Sequence, residues 1–179
     1  MDFRKTFDKI PERFDKYRPR YCKELFQELE MVCGLKFGKK VLEIGPGTGQ
    51  ATEPILKTGC DYTAIELGEN FTALMKDKFG CYQNFHIVNA DFENYSFNKN
   101  IYDLVYSAAT IQWIPEEIAF AKTYKMLKPG GYLAMFMTCS DETSANPSLR
   151  AEIDKVYNKY FHVKERYNCK IDYENALNY

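Results

Sequence analysis

Val41-Leu-Glu-Ile-Gly-Pro-Gly-Thr-Gly-Gln50 is a short apolar strand that runs into a turn with glycine at 45, 47 and 49. Val41, Leu42 and Ile44 predict a buried strand, and the glycines let the backbone turn sharply and approach a ligand where a Cβ would collide. Gln50 to Lys57 has helix-forming composition. The free N–H groups of a helix start would point back at the loop and favour an anionic group there. Strand, glycine turn and helix in that order read as a nucleotide-cofactor loop.

Spacing separates two cofactor classes. A dinucleotide fingerprint is Gly-x-Gly-x-x-Gly, whereas here the third glycine comes one position early and Glu43 sits two residues before the first. That favours S-adenosylmethionine (SAM), which has no pyrophosphate to cradle but carries a sulfonium that suits a nearby carboxylate. A glycine-rich strand-to-helix turn alone would not decide the matter; the acids at the ends of the next strands do. A second strand, Asp61-Tyr-Thr-Ala-Ile-Glu66, ends on an acid 23 positions after Glu43, close to the offset of about 20 residues at which a strand-end carboxylate meets ribose hydroxyls. Glu66 reads as a bidentate ribose ligand or, in isolation, as a solvated helix cap. A third strand, Phe85-His-Ile-Val-Asn89, leads to Asp91 and Phe92. Asp91 is placed to accept from an adenine amino group or to serve only as a turn residue, and Phe92 to pack on the ring.

With these residues assembled, the chain resembles the class I SAM-dependent methyltransferases. Glu43 to Gly49, Glu66, Asp91-Phe92, Tyr102-Asp-Leu-Val-Tyr-Ser107 and Leu127-Lys-Pro-Gly-Gly-Tyr132 stand in that family's order. Ser107-Ala-Ala-Thr-Ile-Gln-Trp-Ile-Pro-Glu116 is similar to the segment after the fourth strand in trans-aconitate methyltransferases and their small-molecule relatives, and Tyr17-Arg-Pro-Arg-Tyr21 to an N-terminal segment of related members. The resemblance covers about residues 14 to 139. It implies that Glu43, Gly45, Gly47 and Gly49 surround the methionine part of SAM, that Glu66 holds the ribose and that Asp91 and Phe92 meet the adenine. Ser107 would face the methionine amino group through its backbone.

On the acceptor side, Gln112 and Trp113 lie just past the fourth strand, Gln112 as a hydrogen-bonding group and Trp113 as a wall or as core packing. Tyr17 and Arg18 would close over the site, Arg18 pairing with the SAM carboxylate or remaining a surface residue. Methyl transfer from a sulfonium asks the protein to position an acceptor and exclude water, so no general base is assigned. The implied function is methyl transfer to a small-molecule acceptor, a carboxylate among the candidates. Its rivals are a protein or RNA methyltransferase, a nicotinamide oxidoreductase and a cofactor-binding module without catalysis.

The rest of the chain predicts an α/β fold, a doubly wound, mostly parallel sheet in one domain. Residues 1–38 form an N-terminal helical segment, 39–139 the cofactor-binding core and 140–179 a C-terminal helical segment. A helix is expected around Tyr21 to Val32, broken by Gly34 and Gly38; others run from Glu69 to Phe79 and from Pro115 to Leu127. Lys128-Pro-Gly-Gly should end the latter and admit a fifth strand, Tyr132 to Thr138. Alternation of this kind puts ligands at the carboxyl ends of the strands. The family fold normally closes with an antiparallel hairpin, but Ser140 to Tyr179 is polar and reads as a loop and a helix from Pro147 to about His162. The chain is therefore expected to lack the hairpin, to be a fragment, and to expose the fifth strand as an edge suited to a homodimer.

At 179 residues the chain can bury a proper core, and a net charge of -1 gives no bulk attraction to nucleic acid. Basic residues near the N-terminus, Arg13, Lys16, Arg18, Arg20 and Lys23, interleave with acids and read as a solvated face. No apolar run approaches the roughly 20 residues that span a bilayer, and no secretory leader is evident, so a cytoplasmic location without membrane contact is expected. The six cysteines, Cys22, Cys33, Cys60, Cys81, Cys139 and Cys169, are scattered and read as reduced thiols; with only His86 and His162 as imidazoles, no metal site is expected. His86 reads as a core residue and His162 is given no role.

Overall fold

The computed structural model describes residues 3–138 and 146–160. Five strands, β1 (Lys40–Ile44), β2 (Asp61–Glu66), β3 (Phe85–Asn89), β4 (Tyr102–Ala108) and β5 (Leu127–Phe136), form one sheet in the order β3-β2-β1-β4-β5. Every pair is parallel, with Leu42 beside Thr63 on one side and Val105 on the other. The chain winds outward from β1 to β3, then crosses back to lay β4 on β1's other flank. That reversal opens a crevice at the carboxyl ends of β1 and β4, where ligands bind in sheets of this topology.

Parallel strands are covered on both faces, which is why these read as apolar runs rather than as an alternation. Val41, Tyr62, Ala64, Leu104 and Tyr106 face one cluster, filled by Phe26 of α2 (Lys23–Cys33), Ile55 and Leu56 of α3 (Thr52–Leu56), and Met75 and Phe79 of α4 (Glu69–Phe79). Leu42, Ile44, Ile65 and Val105 face the other, filled by Met126 of α5 (Glu116–Met126) and by Phe92. At the amino ends of the strands, Asp103 accepts from the Lys128 ammonium at 2.6 Å, the Lys40 N–H at 2.9 Å and the Lys39 ammonium at 3.1 Å.

Several elements differ from expectation. The N-terminal segment holds two 3-10 turns, Phe3–Lys5 and Phe7–Lys9, and the helix α1 (Pro11–Tyr17) ahead of α2. The helix after the glycine loop is only Thr52–Leu56. α5 does end just before Lys128-Pro-Gly-Gly, but β5 already begins at Leu127 rather than Tyr132 and ends at Phe136: the register slips between Tyr102 and Leu104, so these residues bulge out of the strand and pairing resumes at Tyr132. His86 is not a core residue; β3 is the sheet's edge, and the imidazole is exposed with Nε2 3.9 Å from Asp61. Gly34 does end α2, in the left-handed conformation that a C-cap uses.

Cys22, Cys33, Cys60 and Cys81 are free thiols. Among the described residues no helix is long and apolar enough to cross a membrane. The C-terminal unit contributes helix α6 (Pro147–Tyr160), where Asn146 Oδ1 accepts from the Ser148 N–H at 3.0 Å as an N-cap. Cys139, Cys169, His162, the loop at 140–145 and the closing stretch 167–179 lie outside the described residues.

Candidate cofactor site

The loop after β1 is shaped from both sides. The Gly45 N–H donates to the Ile65 carbonyl at 2.9 Å, and the Gly45 carbonyl accepts from Thr110 Oγ1 at 2.8 Å. Gly45 has φ +65°, and a Cβ there would stand 2.2 Å from Thr110 Cγ2. Gly49 has φ +84°, and its Cβ would meet Phe79 Cε2 at 2.6 Å and Met75 Sδ at 2.8 Å. Only glycine permits this backbone and these approaches together.

The two acids play different parts. Glu43 is wholly buried on the α2–α4 face, where Oε2 accepts from Thr52 Oγ1 at 2.6 Å and from the Tyr62 hydroxyl, itself paired with the Tyr106 hydroxyl. It thus ties β1 to the first residue of α3 beneath the loop. Oε1 has no hydrogen-bond partner among the described residues. Burial pushes this carboxyl up, against the lowering effect of Thr52, Tyr62 and Tyr106.

Glu66 closes the loop from the end of β2. Its Oε2 accepts from the Gly47 N–H at 2.9 Å and its Oε1 from the Gly68 N–H at 2.8 Å. Desolvation raises its pKa to about 7, opposed by those two donors and helped by the charges of Asp8 and Glu43. Each oxygen keeps a further acceptor direction for a ligand hydroxyl.

Asp91 and Phe92 follow β3 on the same edge. Asp91 Oδ1 accepts from the Glu93 N–H at 3.0 Å, while Oδ2 is 3.4 Å from Arg4; Phe92 is buried among the second core cluster. Ser107, next to last in β4 and buried, donates from its hydroxyl to the Ile44 carbonyl at 3.2 Å and accepts there from the Ile111 N–H at 3.0 Å, tying β4 to β1 and to the turn that follows. Gln112 and Trp113 sit half-buried on the 3-10 turn Ile111–Trp113, Gln112 Nε2 donating to the Ala109 carbonyl at 3.0 Å. Tyr17 is 72% exposed, and the Arg18 guanidinium stacks 5.5 Å from the Phe14 ring centroid. Glu66 and Ser107 thus flank β1 and its glycine loop, with Asp91 one strand farther out past the end of β3, while Tyr17 projects into solvent. A groove of about 760 Å³ between α2 and α3 reaches the loop at Gly49 and Gln50 but includes none of those three residues.

A family model described as a methyltransferase domain matches residues 42–135, more than half of the chain. The chain belongs to that family. Among curated relatives, the malonyl-[acyl-carrier protein] O-methyltransferase of Marinomonas sp. is 32% identical over 76% of this chain and 51% of its own length. An rRNA adenine N-6-methyltransferase of Limosilactobacillus reuteri is 28% identical over 76% of this chain and 60% of its own. The chain spans about half the length of the first of these and of a second malonyl-[acyl-carrier protein] O-methyltransferase, from Ilyobacter polytropus. Its fold is that of SAM-dependent methyltransferases. The Haemonchus contortus phosphoethanolamine N-methyltransferase 2, solved with SAM, superposes with a TM-score of 0.63 at 22% identity, over 83% of this chain and 41% of that one.

In this methyltransferase domain the N-terminal segment packs on α4 and the glycine loop, as expected of a segment that closes over the site, but the contacts come from Asp8, Phe14 and Asp15 rather than from Tyr17. Asp8 Oδ1 accepts from the Phe71 N–H at 2.8 Å, serving as the cap that Gly68 cannot supply to α4. Phe7, Phe14 and Phe71 form a row of tilted ring contacts, with centroids 5.4 and 5.2 Å apart, and Phe14 reaches within 3.6 Å of where a Gly47 Cβ would stand. Asp15 is 3.0 Å from the Lys78 ammonium, which also donates to the Thr48 carbonyl at 2.6 Å. The spacing of Phe7 and Phe14 is the one signal that could have revealed an apolar stripe there.

Proposed function

We propose that this chain binds SAM at the carboxyl ends of β1, β2 and β4 and transfers its methyl group to a carboxylate, free or borne on a carrier. The observation that carries the reading is the Glu66 carboxylate, buried at a strand end and locked onto the Gly47 N–H with acceptor directions left over. A left-handed glycine loop beside a ribose-type acid fits a nucleoside with an amino-acid tail. Glu66 would accept from the ribose hydroxyls, Asp91 from the adenine amino group, and the Gly45–Gly49 loop and Ser107 backbone would enclose the methionine portion. SAM supplies an electrophilic methyl on a sulfonium. A carboxylate acceptor is already an anion at neutral pH, so the protein's part is to align it and exclude water, with Gln112 and Trp113 beside its path. The name of the Marinomonas relative supports this acceptor class.

A second reading, methylation of an RNA base, is favoured by the rRNA methyltransferases among the relatives, the Limosilactobacillus enzyme included; a net charge of -1 provides no field to hold RNA. Calorimetric titration with SAM, S-adenosylhomocysteine and NAD, followed by an assay for methyl-ester formation on short dicarboxylic half-thioesters, tests the proposal. Binding of the first two, none of NAD, and an alkali-labile methyl product are expected. Binding of NAD alone would overturn it.

A further inference from the structure

Lys122 projects from α5 toward the segment that joins β3 to β4. Its ammonium donates to three main-chain carbonyls: Phe92 at 2.6 Å, Tyr95 at 2.8 Å and Glu93 at 2.9 Å. An ammonium has three N–H bonds, and this set uses all of them. The same nitrogen stands 5.2 Å from the Phe92 ring centroid and 5.4 Å from that of Phe97, within range of a cation–π attraction.

The convergence has a cause. Between β3 and β4 the backbone forms isolated turns rather than a helix, with the Asn94 N–H donating to the Asp91 carbonyl at 3.1 Å and the Tyr95 N–H to the Phe92 carbonyl at 3.4 Å. Carbonyls that a crossover helix would pair internally turn inward, and half-buried carbonyls need donors. Lys122 provides three from one point. A guanidinium spreads its donors across a plane and cannot converge in the same way. Burial lowers the Lys122 pKa, against the raising effect of Asp91 and Glu93. On the segment's other side Arg4 Nη1 reaches Glu93 Oε1 at 2.6 Å and Arg4 Nη2 lies 3.4 Å from Asp91 Oδ2.

We infer that Lys122 is a positioning residue for the adenine end of the cofactor: it fixes the backbone of 92–95, and through it the Asp91 carboxylate and the Phe92 ring, without touching cofactor or acceptor. The inference rests on the proposed SAM site. Its test is a double-mutant cycle on S-adenosylhomocysteine affinity, measured calorimetrically on the whole chain, with Lys122→Met, Asp91→Asn and the pair. Lys122→Met is expected to weaken binding about tenfold, the scale of a lost charge-assisted hydrogen-bond set, and less than about threefold in the Asp91→Asn background. A purely structural lysine would lower the unfolding midpoint and leave affinity within twofold, or give additive losses in the cycle; either result overturns the inference. Should Lys122→Met not fold, Lys122→Arg carries the same cycle with the charge retained. Failure of the unaltered chain to bind S-adenosylhomocysteine overturns the SAM site first, and this inference with it.

Discussion

Glu66 sits near its titration midpoint at neutral pH, with its pKa raised to about 7 by burial. Ribose hydroxyls donate to the ionised form and stabilise it, so affinity for SAM should rise as pH increases through about 7 and then level off; Glu66→Gln should bind more weakly with a flat profile, as calorimetry across that range would show. Folding responds in the opposite sense. A carboxyl whose folded pKa lies above its unfolded value contributes stability in full below the unfolded pKa, and that contribution is lost as pH rises through the folded one. The urea midpoint of the free protein should therefore fall more between about pH 4.5 and about pH 7 than that of Glu66→Gln. Gly49→Ala would force φ +84° on an L-residue and drive a Cβ to 2.6 Å from Phe79. A loss of about 2 kcal/mol or more is expected from urea unfolding. That Glu66 ends a strand beside the loop was legible from its distance to Glu43. Its grip on the Gly47 N–H was not, because that bond exists only once three left-handed glycines have folded the loop back over β2.

At the scale of elements, α4 depends on a residue from outside itself. Gly68 has no side chain with which to cap the helix, and Asp8, arriving from a 3-10 turn, bonds the Phe71 N–H instead. Asp8→Ala should cost about 1 kcal/mol in urea unfolding, the usual value of an N-cap, and Asp8→Asn much less. The bounds of β2, β3 and α4 could be read directly, because apolar runs flanked by glycine and asparagine carry their own period. Phe3 to Tyr17 could not, since its short turns gain order only by docking on α4 and the loop. Lys128-Pro-Gly-Gly did mark the end of α5 but misplaced the start of β5 at Tyr132 rather than Leu127, because an edge bulge tolerates a residue without an N–H and, at Gly130, a φ of +77°.

Over the whole molecule the sheet has a chemical end and a mechanical end. Glu66, Asp91 and Ser107 stand at the carboxyl ends of the strands, whereas Asp103 gathers Lys39, Lys40 and Lys128 at the amino ends. Burial alone would raise the Asp103 carboxyl, but Lys128, the Lys40 N–H and Lys39 outweigh it and hold it below the usual range. Its contribution is present above the unfolded carboxylate pKa and is lost as pH falls through the folded one. Asp103→Ala should lower stability by about 1 to 2 kcal/mol at neutral pH and leave S-adenosylhomocysteine affinity within about twofold, separating the two ends. The Ser107 hydroxyl bonds the Ile44 carbonyl across 63 residues of chain. Parallel strands meet only after their crossovers close, and long closures are slow. On the ribosome the glycine loop and Glu66 emerge well before β4, so a nascent chain holds half a cradle with no opposite wall. Competence to bind a cofactor is thus expected late in synthesis, once β4 has been made and has paired with β1.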